Sequence, residues 1–358
     1  MPDSYQPLIS IIIPSYNRAD IIAETLSSVK QQTYPHWECL VVDDHSTDAT
    51  HEIVTEFCQQ EKRFTYRVNE ITKGAQGSRN TGLQHAKGDF LLFLDSDDIL
   101  TASCLTQRIS VAAENRGYDF YCFPTGVFKK QLYDSNLVWN ILNKEANDLF
   151  RFVSGDMPWH TSGVLWKAST QKKLAGWDEA LLCGQDWDMH LRSLLLPFVN
   201  YFKVPDEALY IDTYYRDDAD RVSIARKDTH PLHLQNKWYL TKKTIPAIKG
   251  LRNKSQKIEL ARMIYRLTLQ SISVLGFDKS IQNFRTSMND LGINPFFTWI
   301  WSGYLYNLHH MPQNKGLRRF FNLAYRLSKH RDLRTARSSH MAAVLNNVVK
   351  KNEEIIPS

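Results

Sequence analysis

Asp95, Asp97 and Asp98 place three carboxylates within four positions, directly after the apolar run Phe90, Leu91, Leu92, Phe93 and Leu94. Like charges so close repel one another at neutral pH, so a positive partner is expected among them. A hard divalent cation, Mg2+ or Mn2+, is the first candidate. Such ions take oxygen ligands and are usually held by one or two protein carboxylates together with substrate phosphates.

The elements that must position this cluster follow from hydrophobic periodicity. Residues 8–13 read as an apolar strand ended by Pro14, residues 19–32 as a helix spaced on Ile22, Leu26 and Val29, and residues 38–42 as a second strand ending at Asp43. Ser46, Thr47 and Asp48 offer cap chemistry for a helix reaching about Cys58. Strands over 64–68 and 90–94 flank a helix over 77–86. Strands alternating with helices imply right-handed crossovers and a largely parallel sheet, whose ligands bind at the carboxyl ends of the strands. The segments after Ile13, Val42 and Leu94 should therefore share one edge.

The composition, 43% hydrophobic over 358 residues, is that of a globular chain with room for two domains. The apolar run near the N-terminus is too short and wrongly flanked for a signal peptide. Five widely spaced cysteines without a CxxC pair argue against a disulfide framework or a zinc site and fit a reducing cytoplasm. The net charge of +6 is split unevenly: residues 1–229 hold 23 Lys and Arg against 32 Asp and Glu, while residues 230–358 hold 21 against 6. Two regions of opposite sign suggest two tasks, and the basic one can meet an anionic membrane, nucleic acid or the acidic region of its own chain.

From about Arg226 the pattern turns helical, with one apolar stripe through Ile258, Ile264, Ile272 and Leu275 and another through Leu317, Phe320 and Leu327. Residues 291–313 carry no formal charge and are rich in aromatics, but two prolines and two glycines make them a poor membrane span. Interfacial membrane contact, with Lys315, Arg318 and Arg319 at the headgroups, competes with packing against the first domain.

PSYNR (14–18), the stretch 31–50, GSRNTGL (77–83), FLDSDD (93–98), GWDEAL (176–181) and GQDWDMHLR (184–192) together resemble the ordered motifs of family 2 glycosyltransferases. A single DxD is a weak signal; six motifs in order across residues 7–225 are a specific one. The resemblance implies a GT-A fold, α/β and Rossmann-like with a mostly parallel sheet flanked by helices, over residues 1–228, followed by a helical region over 229–358. It also implies inverting sugar transfer from a nucleotide-diphosphate sugar with Mn2+ or Mg2+ as cofactor.

By the same resemblance Pro14, Tyr16, Asn17 and Arg18 frame the nucleoside, and Asp43 and Asp44 accept hydrogen bonds from base and ribose. Arg79 approaches the donor phosphates or an aspartate of the metal loop. Asp95 and Ser96 bind the donor, Asp95 and Asp97 the metal, and Asp98 supports them. Each stretch also has a structural explanation: a Pro-Asn turn, helix capping by the acidic pair, and a salt bridge for Arg79. Asp186 matches the catalytic base, with Gln185 where the family usually has Glu. Asp188 is its rival, and on a helix the two point about 200° apart. Trp159, His160 and Thr161 resemble the acceptor-side segment, while Trp177 and Trp187 suit either sugar stacking or the core. Arg216, Asp217 and Arg221 lie where the family often has a loop closing over the diphosphate.

The function expected from these residues is transfer of a sugar, from a UDP-sugar in preference, to a hydroxyl of a glycan or lipid-linked acceptor in cell-surface polysaccharide or lipopolysaccharide synthesis. The setting is the cytoplasm or, peripherally, the inner face of the membrane; a homo-oligomer is compatible and a nucleic-acid partner is not expected. Two alternatives compete. A sugar nucleotidyltransferase would show a glycine-rich phosphate loop, which PSYNRAD lacks. A catalytically silent membrane-associated scaffold would not need the intact acidic motifs.

Overall fold

Runs of β-branched and aromatic residues form the strands of a seven-stranded sheet in a computed structural model describing residues 6–153, 156–205, 211–217, 231–250 and 254–310. Arg221 and the apolar stripe from Leu317 to Leu327 lie outside the described residues. Strands β1 (Ile9–Ser15), β2 (Trp37–Asp43), β3 (Phe64–Val68) and β4 (Phe90–Phe93) alternate with helices α1 (Ile22–Lys30), α2 (Thr50–Gln60) and α3 (Ala75–His85). β1 is buried at every position and pairs in parallel with β2 on one side and β4 on the other. A strand buried on both faces reads as a continuous apolar run rather than an alternating one, which is what ISIIIP supplies. Because β4, β1 and β2 are parallel neighbours, the loops that follow them emerge at one edge.

The chain continues through β5 (Ile99–Leu100), α4 (Cys104–Glu114), β6 (Phe120–Cys122), β7 (Thr125–Phe128), β8 (Leu137–Val138) and α5 (Asp148–Val153). It then runs through β9 (Val164–Lys167), α6 (Ala168–Leu174), α7 (Gln185–Leu194), β10 (Tyr201–Lys203) and β11 (Thr213–Arg216). The main sheet has the order β10-β6-β9-β4-β1-β2-β3, with β9 antiparallel to both its neighbours. A second sheet, β5-β11-β7-β8, stands beside it, and its β11 ends at Arg216.

Helix α2 starts later than its cap residues suggest. Its N-cap is Ala49, without a side-chain cap bond of its own, and Asp48 accepts from the Thr50 N–H at 3.1 Å on one oxygen while Ser46 and the other Asp48 oxygen serve the neighbouring loop. Ser46 Oγ bonds Asp43 and accepts from the Asn17 N–H at 2.9 Å, while Asp48 accepts from the Ala19 N–H at 3.0 Å. These bonds fasten the turn after β1 to the turn after β2.

Helices α8 (Pro231–Gly250), α9 (Lys254–Leu275), α10 (Phe277–Leu291) and α11 (Pro295–His310) form the helical region. Its apolar side chains, including Leu234, Trp238, Leu240 and Ile264, join Trp187, Met189 and Leu191 of α7 in one continuous core. The aromatic helix α11 packs Trp301 against Tyr265 and Phe284 and leaves Trp299 exposed. Among the described residues no helix is long and apolar enough to cross a membrane.

Candidate active site

The carboxyl edge of the main sheet opens into a cleft of about 560 Å³. Its lining comes from the three loops that the strand-end rule singles out, with Tyr16 and Arg18 after β1, Asp44 after β2, and Asp95 and Asp97 after β4, and also from Asp186 at the start of α7. Pro14, Ser96 and His160 also line it. Asn17, Asp43, Trp159 and Asp188 do not reach the lining, and each has a different reason.

Asn17 adopts a left-handed backbone with φ of 49°, and its Oδ1 accepts from the Thr47 N–H at 2.8 Å, so it braces the loop. Asp43 is buried, bonded to Ser46 on one oxygen and accepting from the Tyr66 hydroxyl at 2.7 Å on the other. Asp44 accepts from Asn69 Nδ2 at 2.6 Å and from the Gly74 N–H at 2.8 Å, which ties the β2 loop to the entrance of α3. Tyr16 is 44% exposed at the cleft with Lys73 Nζ 5.2 Å from its ring centre, a flat face beside a cation.

Helix α3 reaches the cleft because two glycines of GSRNTGL let it approach its neighbours. A Cβ on Gly77 would lie 1.7 Å from the Thr72 carbonyl oxygen, and one on Gly82 would lie 2.4 Å from Ile12 Cγ2. The close approach delivers Arg79, whose Nη2 donates to Asp95 Oδ1 at 2.6 Å while the guanidinium lies 4.4 Å above the Trp177 ring. Trp177 is itself buried against Phe93, and Trp187 donates from Nε1 to the Phe152 carbonyl at 2.7 Å, so both tryptophans belong to the core.

The three carboxylates of the DSDD stretch occupy different surroundings. Asp98 is fully buried, accepting from Ser162 Oγ at 2.7 Å and from the Arg216 N–H at 3.3 Å. Burial, then the charges of Asp95 and Asp97, push its carboxyl well above the usual range. Asp95 and Asp97 keep side chains about a quarter exposed at the cleft, with an Arg18 nitrogen 4.0 Å from Asp97. One ligand atom each from Asp95, Asp98 and His160 lies within 4.8 Å of the others. Both Asp98 oxygens accept hydrogen bonds, and Asp95 Oδ1 accepts from Arg79, while the side chains of Asp95 and Asp97 are the ones that keep some exposure at the cleft.

The opposite wall belongs to α7. Gly184, at φ of 70°, turns the chain into the helix, and Asp186 in its first turn faces the cleft. Asp188 faces away, accepting from Arg192 Nε at 2.7 Å with Lys243 Nζ at 2.8 Å. Gln185 donates to Gln76 Oε1 at 3.1 Å, joining α7 to α3. Trp159 is enclosed by Phe120, Phe152 and Tyr201, whereas His160 stands at the lining with its ring against Trp139 and Tyr215.

Sequence reasoning missed several lining residues, among them Ser15, Gln76, Ser78, Cys183 and Tyr215. Ser15 and Ser78 carried a signal only by position, inside PSYNR and inside GSRNTGL. Tyr215 and Arg216 reach the cleft on β11, and Arg216 donates from Nε to the Asp97 carbonyl at 3.2 Å and pairs with Glu24. Buried donor atoms without hydrogen-bond partners belong to four of the lining residues: Ser15 Oγ, Arg18 Nε, Ser78 Oγ and Arg79 Nε.

The mostly parallel sheet thus brings an acidic strand-end loop, a buried arginine beside it and a carboxylate on the far wall to one cleft. Residues 10–172 match the model of glycosyl transferase family 2. An uncharacterized glycosyltransferase of Haemophilus influenzae is 30% identical over 211 residues, covering 57% of this chain and 67% of that protein. The chain belongs to glycosyl transferase family 2. A 108-residue stretch, 30% of this chain, is 49% identical to the UDP-Glc:alpha-D-GlcNAc-diphosphoundecaprenol beta-1,3-glucosyltransferase WfgD of Escherichia coli. The chain spans about two fifths of the length of that relative and of others like it, 42% in this case. In fold it is similar to S. aureus TarS 1-349 in complex with UDP-GlcNAc, with a TM-score of 0.61 and 16% identity, covering 91% of this chain and 93% of that one.

Proposed function

We propose that the cleft transfers a sugar from a UDP-sugar to a hydroxyl of a lipid-linked or polymeric glycan acceptor, with inversion at the anomeric carbon. The observation that carries this reading is one cleft lined by the carboxylates of Asp95 and Asp97, the guanidinium groups of Arg18 and Arg79, and Asp186. Two arginines at one cleft suit an anion, and a diphosphate supplies one. The UDP-glucose of the Escherichia coli relative's name and the UDP-GlcNAc bound to TarS support the choice of donor. The undecaprenol carrier in the same name supports the acceptor class.

Tyr16 offers its exposed ring to the base, and Asp44 lines the nucleoside end of the cleft. Arg79 holds Asp95 in place and lends its positive charge to the phosphate end of the cleft it lines. The hard carboxylate oxygens of Asp95 and Asp97 fit Mg2+ or Mn2+, which supplies countercharge to a leaving nucleoside diphosphate when bound. Asp186 takes the proton of the attacking hydroxyl, a role worth about 100-fold to 10,000-fold in rate. A single displacement needs one base and no covalent intermediate, so inversion follows. The cleft is lined by residues between Pro14 and Arg216, and the exposed Trp299 on α11 suits contact with a membrane surface where a lipid-linked acceptor resides.

Asp186→Asn tests the reading. UDP release from UDP-glucose falls by about 100-fold or more while UDP affinity in Mn2+ stays within about twofold. An unchanged rate refutes Asp186 as the base.

A further inference from the structure

Helix α8 lies in the basic region of the chain, beyond the segment matched by the family model, yet it touches the Asp186 wall at three points. Lys243 Nζ lies 2.8 Å from Asp188 Oδ1 and 2.5 Å from Asp178 Oδ2. The Tyr239 hydroxyl donates to the same Asp178 oxygen at 3.2 Å. Leu240 covers Gly184, where a Cβ would come within 2.9 Å of its Cδ1. Gly184 is the turn that opens α7, so α8 presses on the hinge of the helix that carries Asp186.

Asp178 and its neighbour Glu179 face different partners. While Asp178 is held by α8, Glu179 accepts from Asn80 Nδ2 at 2.8 Å and from Thr72 Oγ1 at 2.5 Å, on and beside α3. Helix α3 carries Arg79, the cation on Asp95. The pair Asp178-Glu179 thus links α8 to the Arg79 helix, and Lys243 links the same pair to the Asp186 helix. On its other oxygen Asp188 accepts from Arg192, whose remaining nitrogens donate to the carbonyls of Leu174 and Gly176. Two cations and two carboxylates balance in charge across three separate elements.

We infer that Lys243 is a positioning residue for the transfer reaction: by binding Asp178 and Asp188 together it fixes the rotation of α7 and the place of the Asp186 carboxylate. The inference rests on Asp186 acting as the base. Lys243 is 32% exposed while Asp188 is 4% exposed, so solvent screens the Coulomb attraction at the lysine. Its effect lies in geometry, where a displacement of about 1 Å can cost about 100-fold in rate.

The test uses the full chain with four variants: Lys243→Met, Lys243→Arg, the double variant Lys243→Met with Asp188→Asn, and Asp186→Asn. UDP release from UDP-glucose in Mn2+ gives kcat and KM, calorimetry gives UDP affinity, and thermal unfolding gives Tm. Lys243→Met lowers kcat about 10- to 100-fold with KM and UDP affinity within about twofold. Lys243→Arg recovers part of the rate. The double variant, balanced in charge again, recovers Tm but not kcat. Wild-type kcat in Lys243→Met, or recovery of kcat together with Tm in the double variant, overturns the inference. Loss of rate in Asp186→Asn alongside wild-type kcat in Lys243→Met condemns the positioning role only; wild-type kcat in Asp186→Asn removes the base assignment beneath it.

Discussion

Arg79 donates to Asp95 at 2.6 Å from a guanidinium that is itself stacked over Trp177. One planar cation is thereby fixed by a carboxylate at its edge and an indole on its face, with its Nε left unpartnered. A lysine cannot reproduce both contacts, because its ammonium is a point charge without a stacking plane. Arg79→Lys is therefore expected to weaken UDP binding in Mn2+ by about 10- to 100-fold, the scale of one charged hydrogen bond. Calorimetric titration reads this directly, and affinity within about twofold of wild type would remove Arg79 from the donor site.

Asp97 and Asp95 are proposed to hold a divalent ion, so nucleotide and metal should stabilise the fold together. UDP at about 100 times its Kd adds about 2.7 kcal/mol to the folded state. That gain is expected in a thermal shift with Mn2+ and UDP, and is expected to vanish on chelation or in Asp97→Ala. A UDP shift of equal size without metal would count against the assignment.

Gly77 has no room for a side chain, since its Cβ would meet the Thr72 carbonyl at 1.7 Å. Gly77→Ala must push α3 away from the 69–74 loop. Overpacking of this kind costs about 1–3 kcal/mol. A lower Tm is expected together with weaker UDP binding, because Arg79 moves with the helix. Unchanged Tm would show that the loop yields without cost.

His190 gives a pH prediction that does not depend on catalysis. Its ring is buried among Trp166, Phe152 and Trp159, and neither nitrogen has a hydrogen-bond partner among the described residues. Burial, then the charges of His160 and Arg79, lower its pKa from 6.5 to about 3. The unfolded chain binds the proton first as pH falls, so the stability His190 contributes is whole above about 6.5 and is lost towards 3. Between pH 6.5 and 5 the loss is about 2 kcal/mol. His190→Phe keeps a ring in the cage and is expected to remove that part of the pH slope in denaturant unfolding. An identical slope in both proteins would contradict it.

Much of the fold was legible in the sequence because β1, β2 and β4 are buried on both faces. Ile9 to Ile13 and Phe90 to Phe93 read as strands from their apolar runs alone, and the strand-end rule then brought Tyr16, Asp44 and Asp95 to one edge. The antiparallel placement of β9 was not legible, since the return of a four-residue strand between β4 and β6 is fixed by long-range pairing. Nor was the lysine of α8 that meets Asp188, because a contact 55 residues away leaves no local periodicity. Arg216 reaches the cleft on the second sheet, whose short strands carry little signal of their own.

The central claim is that Asp95 and Asp97 hold a divalent ion on a nucleoside diphosphate across the cleft from Asp186. An anomalous-scattering map from crystals soaked with Mn2+ and UDP tests it most directly. The account predicts a manganese peak within about 2–2.5 Å of an Asp97 or Asp95 carboxylate oxygen and of the UDP diphosphate, with the base beside Tyr16. Manganese or UDP bound away from both aspartates would contradict it.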